Sequence, residues 1–350
     1  MSVNASPFAF VQSALQGLPE PDAALMKPAR ATKAGAALDV QRSGRLDELG
    51  RFFAGWQRRA APEIAHPHVL VLAGQHGVAA QGVSAAPANL SQQRMGAFRR
   101  GTAAVSRFCT FYGLPLNIRA PSSHRPTHDF SEAMAMSEAE CAQAVRFGMR
   151  SVPEPCDLLL LGALGAGGSS AAGAIVCALL RRSPHLLVDK RANLGPRRLQ
   201  QKAHVIWRGL QLHKKHLDDP LAVLRAFGGR EIAALFGALL EARRRGVPVI
   251  LDGLVTASAA LVLHALDANA VAHCLAGHRA ADKGQEEILY KLGLEPLLDL
   301  QLRLSEGAGA VLAFGIIQAA LAVRADAALG GAVKERAKQP GPPASSKTST

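Results

Sequence analysis

Glu306 is the glutamate of LDLQLRLSEGAGAVLAF, the stretch from Leu298 to Phe314. An acid between a hydrophobic run and a glycine-spaced apolar segment has two uses. At a helix N-terminus, with Ser305 as the cap, it would complement the positive end of the dipole. In a tight pocket it would be a general base, with Gly307, Ala308 and Gly309 leaving room for a flat ring. The stretch alone leaves both open.

A second chemical cluster is GALGAGGSSAAG, Gly162 to Gly173. Gly165 and Gly167 let the backbone approach an anion. Ser169 and Ser170 stand where a helix begins, so free N–H groups and the dipole favour a phosphate. No Lys follows in the GKS or GKT manner, so this is not a Walker loop. A plain strand-to-helix turn has the same pattern. Lys202, in the helical stretch RRLQQKAHVI, is either an exposed helix lysine or the flexible cation of that phosphate. His76 and His278 each end an apolar run. Neither has HxxxH or HExxH spacing, and no metal site is expected. There is no GxSxG elbow and no evident Cys nucleophile.

These groups hang on a repeated grammar. HPHVLVLAGQHG, CDLLLLGALGAGG, VPVILDGLVTASAAL and ANAVAHCLAGHRAAD each read as a buried strand ending in glycine punctuation, mostly followed by helix. Four such strands predict a parallel sheet in an α/β domain. Ligands bind beyond the carboxyl ends of such strands, so the polar clusters are expected to share one cleft. Residues 1–60 read as amphipathic helix, broken at Pro19 and Pro21, with Leu46, Leu49, Phe52 and Phe53 as a stripe. The tail from 331 to 350 is rich in Pro, Ser and Lys and is expected to be disordered.

The 350 residues suffice for a large core, and 49% apolar residues indicate a globular chain. A net charge of +13 raises nucleic acid as a partner, but the basic residues are scattered and aromatics are only 5%. Charge alone supports that reading. Five cysteines without CxxC pairing fit a reducing cytoplasm. No leader-like N-terminus is evident, and the apolar runs look too interrupted to span a membrane.

Taken in order, AGQHGVAAQGVSA, FGGREIAAL, ILDGLVTASAAL, GHRAADKG and LGLEPLLDLQLRLSEGAGAVLA resemble the motifs of the nicotinate-nucleotide–dimethylbenzimidazole phosphoribosyltransferase family, from about Leu46 to Val323. The resemblance implies a large domain with a parallel, Rossmann-like sheet flanked by helices, residues 61–300. A smaller helical domain would be built from both chain ends, 1–60 and 301–330, and two chains would form a homodimer. It also implies transfer of the ribose phosphate of nicotinate mononucleotide to 5,6-dimethylbenzimidazole or a similar base, with no cofactor. Glu306 matches the family's general base. Gly165, Gly167, Ser169, Ser170, Lys202, Asp252 and Gly253 match its phosphate and nucleotide contacts, and Ser84 and Leu304 its base contacts. The chain also departs from the pattern. The acid of the family's Gly-rich loop is Ala163 here, its Asn is Gly168, and its threonines are Ser169 and Ser170. Gln75 replaces an Asp and Ala280 a Ser. Ala86 and Ala88 flank Pro87 in place of Tyr and Gln, and DKRAN, Asp189 to Asn193, replaces GRGTG. The retained Glu306 favours an enzyme; the departures favour a non-catalytic or regulatory homologue, one that could pair with an active subunit.

Overall fold

The computed structural model describes residues 6–28, 43–84, 90–121, 125–187, 195–304 and 306–328. Ala86, Ala88, Asp189 to Asn193, Ser305 and the tail from 331 lie outside them. Six strands form one sheet: β1 (Pro67–Ala73), β2 (Leu116–Arg119), β3 (Leu158–Leu164), β4 (Val249–Leu251), β5 (Cys274–His278) and β6 (Pro296–Leu298). Their order is β2-β1-β3-β4-β5-β6, and every neighbouring pair is parallel. Helices cover the sheet, so its central strands are buried on both faces, and Val69–Leu72 and Leu158–Leu161 have no exposed surface. That is why they read as unbroken apolar runs. The edge strands β2 and β6 are short and only half-buried, and no apolar run announces them.

The order reverses between β1 and β3, as in flavodoxin-type doubly wound sheets. A crevice opens at the carboxyl end of such a switch point. Here that end carries Gly74–His76, after β1, and the glycine turn after β3, joined by the Gly74 N–H donating to the Leu164 carbonyl at 2.8 Å.

Two compact units divide the chain. One comprises residues up to Pro21 with Ile64–Ile316; the other comprises Asp22–Glu63 with the chain from Ile317 onward. The boundary therefore runs differently from the expected breaks at 60 and 300. Phe8 and Val11 are buried in the core of the sheet-bearing unit. Arg243, fully buried on the helix Arg230–Arg244, holds the segment before Pro21 through the carbonyl of Pro19 and the carboxylate of Glu20. In the second unit the helix Arg45–Gln57 is tied to the preceding segment by Arg51, which donates to the Met26 carbonyl, and by the Asp22 N–H, which donates to Gly55.

One apolar run does reach membrane-spanning length, against expectation. Ala308–Ala325, within the helix Ala308–Ala328, has a mean hydropathy of 1.8, and half of it is buried inside the protein. Its Ala308, Ala310, Val311, Ala313 and Phe314 belong to the buried interior of the sheet-bearing unit, which accounts for the apolar composition.

Candidate active site

Glu306 lies at the carboxyl edge of the sheet, two residues before the helix Ala308–Ala328, and is 5% exposed. Its φ is +75°, followed by Gly307 at +92°. A residue with a β-carbon held in the left-handed region costs about 1–2 kcal/mol, so something must hold this turn in place.

Two neighbours do so. Below lies Gly162 of β3: a β-carbon there would stand 2.5 Å from the Glu306 carbonyl carbon and 2.6 Å from the Gly307 nitrogen. Only a glycine lets the turn settle on the strand. On the other side is Asp252, the residue after β4. Gly307 N–H donates to its Oδ2 at 3.0 Å, and the N–H groups of Gly309 and Ala310 donate to its Oδ1 at 2.8 and 3.1 Å. Asp252 is 3% exposed. The helix start that carries Glu306 is therefore capped by a carboxylate from a different strand. His278, at the end of β5 and wholly buried, brings Nε2 to 3.4 Å from Asp252 Oδ1, close but without the alignment of a hydrogen bond. The Gln285 amide donates to the carbonyls of Asp252 and His278 and accepts from Ala280 N–H, joining the ends of β4 and β5.

The Glu306 side chain meets Arg94, from the helix Leu90–Arg99. Arg94 Nε donates to Oε1 at 2.6 Å and Nη2 donates to Oε2. The hydrogen bond to Glu306 holds the guanidinium above its ordinary pKa. The fork uses one acceptor position on each oxygen; a carboxylate has about four, so one on each remains for another donor.

The glycine turn is the second half of the site. Gly167, with φ +87°, precedes the helix Gly168–Leu180, and Lys202 Nζ donates to Ser169 Oγ at 3.1 Å. Lys202 is not the exposed helix lysine that its sequence context also allowed: it is only 7% exposed. Burial pushes its pKa down, and only the charge of Asp282 opposes the shift. A buried amine beside a hydroxyl at a helix N-terminus is an arrangement suited to an anion. Ser170 is fully buried, and its Oγ has no partner among the described residues. Beneath the turn, His76 Nε2 and Glu231 Oε1 are 2.5 Å apart, both side chains 1% exposed. Gly74, Gly165 and Gly229 crowd this pair so closely that a β-carbon at 74 or 229 would strike the Glu231 carboxylate.

This strand-end arrangement has relatives. Residues 18–331 match a family model described as phosphoribosyltransferase. The chain is 39% identical over 322 residues to a nicotinate-nucleotide–dimethylbenzimidazole phosphoribosyltransferase of Methylocella silvestris, covering 92% of this chain and 94% of that one. It is 40% identical over 322 residues to that of Rhizobium rhizogenes, covering 92% and 95%. The chain belongs to this phosphoribosyltransferase family. A crystal structure of the Thermus thermophilus enzyme of the same name superposes with a TM-score of 0.75 at 30% identity, covering 87% of this chain and 96% of that one.

Within the phosphoribosyltransferase fold the expected residues fall into groups. Gly165, Gly167, Ser169 and Lys202 come together at the turn after β3, with Ser170 buried just behind. Glu306 reaches the same edge of the sheet. Asp252 gives three of its carboxylate's acceptor positions to the backbone N–H groups of Gly307, Gly309 and Ala310. Gly253 precedes the helix Leu254–Leu266, with its nearest neighbour, Ala280 Cβ, 3.9 Å from where a β-carbon would stand. Ser84 is half-buried at the end of the loop after β1, and Leu304 is 41% exposed. Arg94, Glu231 and Gln285 went unnoticed in the sequence. Arg94 sits in a polar helix among other arginines and has no motif of its own. Glu231 acts through His76, 155 positions away, and Gln285 through backbone groups of other elements, with no motif to mark it. Among the described residues, no three His, Cys, Asp or Glu side chains gather as metal ligands.

Proposed function

We propose that this chain transfers the ribose 5-phosphate of nicotinate mononucleotide to 5,6-dimethylbenzimidazole or a similar base, giving α-ribazole 5′-phosphate and nicotinate for cobalamin lower-ligand assembly. The buried Glu306 carboxylate, held rigidly at the sheet edge that also carries the glycine turn and Lys202, is the observation that carries this reading. The relatives named for this reaction support it.

The donor phosphate lies at the Gly165–Ser170 turn, with Lys202 as counter-charge and the Gly168–Leu180 helix dipole behind it. One nitrogen of the base attacks C1′ as the C1′–N bond to nicotinate breaks. The pyridinium nitrogen keeps the bonding pair and leaves neutral. The second base nitrogen gives its proton to an oxygen of Glu306. Attack from the face opposite the leaving group converts a β-linked donor into an α-linked product. Residues near Ser84 and Leu304 contact the base. The protein acts as a homodimer in the cytoplasm, a setting that its five unpaired cysteines suit.

The test is incubation of purified protein with nicotinate mononucleotide and a panel of benzimidazoles and phenols, with mass detection. A ribosylated product is expected with a benzimidazole. No product with any base would leave the altered positions Ala163, Gln75 and Ala280 as marks of a non-catalytic homologue.

A further inference from the structure

We infer that Asp252 is the positioning residue of the general base: its carboxylate fixes the Glu306–Gly307 peptide and so aims the Glu306 side chain. This rests on the reading of Glu306 as the base.

The peptide unit joining Glu306 to Gly307 is held on two sides. Its carbonyl carbon and nitrogen lie against Gly162, where no side chain intervenes, and its N–H ends on Asp252 Oδ2 at 3.0 Å. The other oxygen of Asp252 takes the next two available helix N–H groups, Gly309 and Ala310. A neutral cap would satisfy one or two donors. A carboxylate takes three in charge-assisted bonds and also complements the dipole of a 21-residue helix. Asp252 is itself anchored, because its N–H donates to Thr256 Oγ1 at 2.9 Å and its carbonyl accepts from Gln285. The buried His278 ring closes the turn from beneath: a β-carbon on Gly309 would collide with it. With the backbone determined by β3, β4 and β5, only the side-chain torsions of Glu306 remain, and Arg94 restrains those. A base that must meet a ring proton within hydrogen-bond reach needs such support, because a misplacement of about 1 Å can cost roughly 100-fold in rate.

The experiment compares the parent with Asp252→Asn and with Thr256→Val, which loosens Asp252 without altering its carboxylate. The asparagine keeps the shape but has one acceptor oxygen where three donors converge. Asp252→Asn is expected to lower kcat by about 10- to 100-fold and leave the KM for nicotinate mononucleotide within about twofold; Thr256→Val is expected to do the same on a smaller scale. In a Glu306→Gln background, Asp252→Asn is expected to add no further loss, since both act through one group. Hydrogen exchange of the 306–311 amides, which needs no turnover, is expected to quicken in both variants. Unchanged exchange would overturn the assignment, as would a lowered Tm with kcat retained. A raised donor KM with unaltered kcat would return Asp252 to the substrate. If the parent makes no product, the proposed reaction fails and the exchange measurement alone decides the assignment. If Asp252→Asn does not fold, Thr256→Val decides it.

Discussion

Arg94 and Glu306 stand 212 positions apart in sequence and meet through two parallel hydrogen bonds, a guanidinium fork on a buried carboxylate. The pair sets a fixed positive charge against the carboxylate proposed as the base. Arg94→Ala would leave that carboxylate buried without its cation. The expected cost is about 1–3 kcal/mol of stability, read by denaturant unfolding. Arg94→Lys should recover only part, because an ammonium cannot make the fork. Equal stability of Arg94→Ala and parent would show that the pair does not form in solution.

Glu306→Gln is predicted to keep the turn and lose the chemistry. The amide retains the shape and one acceptor but is no base. Turnover should fall about 10²–10⁴-fold, with donor affinity by calorimetry unchanged, since the phosphate site involves other residues. The fold should hold, because Asp252, not residue 306, caps the helix. A variant as fast as the parent would remove Glu306 from the proton transfer.

The legible parts of this molecule are those whose causes are local. The central strands β1, β3, β4 and β5 are apolar because both faces are covered, so composition alone revealed them. The glycine turn after β3 carries its geometry in its own residues. Glu306 looked like either a capped acid or a base because the decisive neighbour, Asp252, reaches the adjoining Gly307 across 55 positions. The same applies to His76 and Glu231, which pair across 155 positions. The edge strands β2 and β6 were invisible because strands so short and half-exposed carry no pattern.

His76 and Glu231 predict a different kind of defect. Both are buried, and Glu231 Oε2 has no hydrogen-bond partner among the described residues. Glu231→Ala strips His76 Nε2 of its carboxylate partner and opens a void beneath the glycine turn. Removing one member of a buried pair typically costs about 3–5 kcal/mol. The turn above should loosen, so the KM for the donor should rise more than kcat falls. Thermal unfolding and steady-state kinetics together check this. Unaltered stability would mean that the pair contributes no net energy to the fold.

Lys202 couples stability, pH and binding with opposite signs. Burial lowers its pKa from the ordinary 10.5. Between that lowered value and 10.5 the unfolded chain binds more protons than the folded one, so this group makes stability rise with pH there. Burial of this amine is therefore a cost in the unliganded protein, and Lys202→Met should be as stable as the parent or more so. The donor reverses the balance. Its phosphate is fully ionised above a second pKa of about 6, so it favours the charged lysine and is bound best while Lys202 is protonated. Donor affinity in the parent should fall as pH rises through the lowered pKa, below the range where exposed lysines titrate, with proton uptake on binding in that window. Lys202→Met should bind the donor more weakly at pH 7 by about 1.5–3 kcal/mol, the worth of a charge-assisted contact, and with no such pH dependence. Lys202→Arg should keep the charge and flatten the curve. Calorimetric titration with nicotinate mononucleotide over a pH series extending downward from the ordinary 10.5 measures all three. Donor affinity in Lys202→Met equal to the parent's would place the phosphate elsewhere and leave the buried lysine without a function.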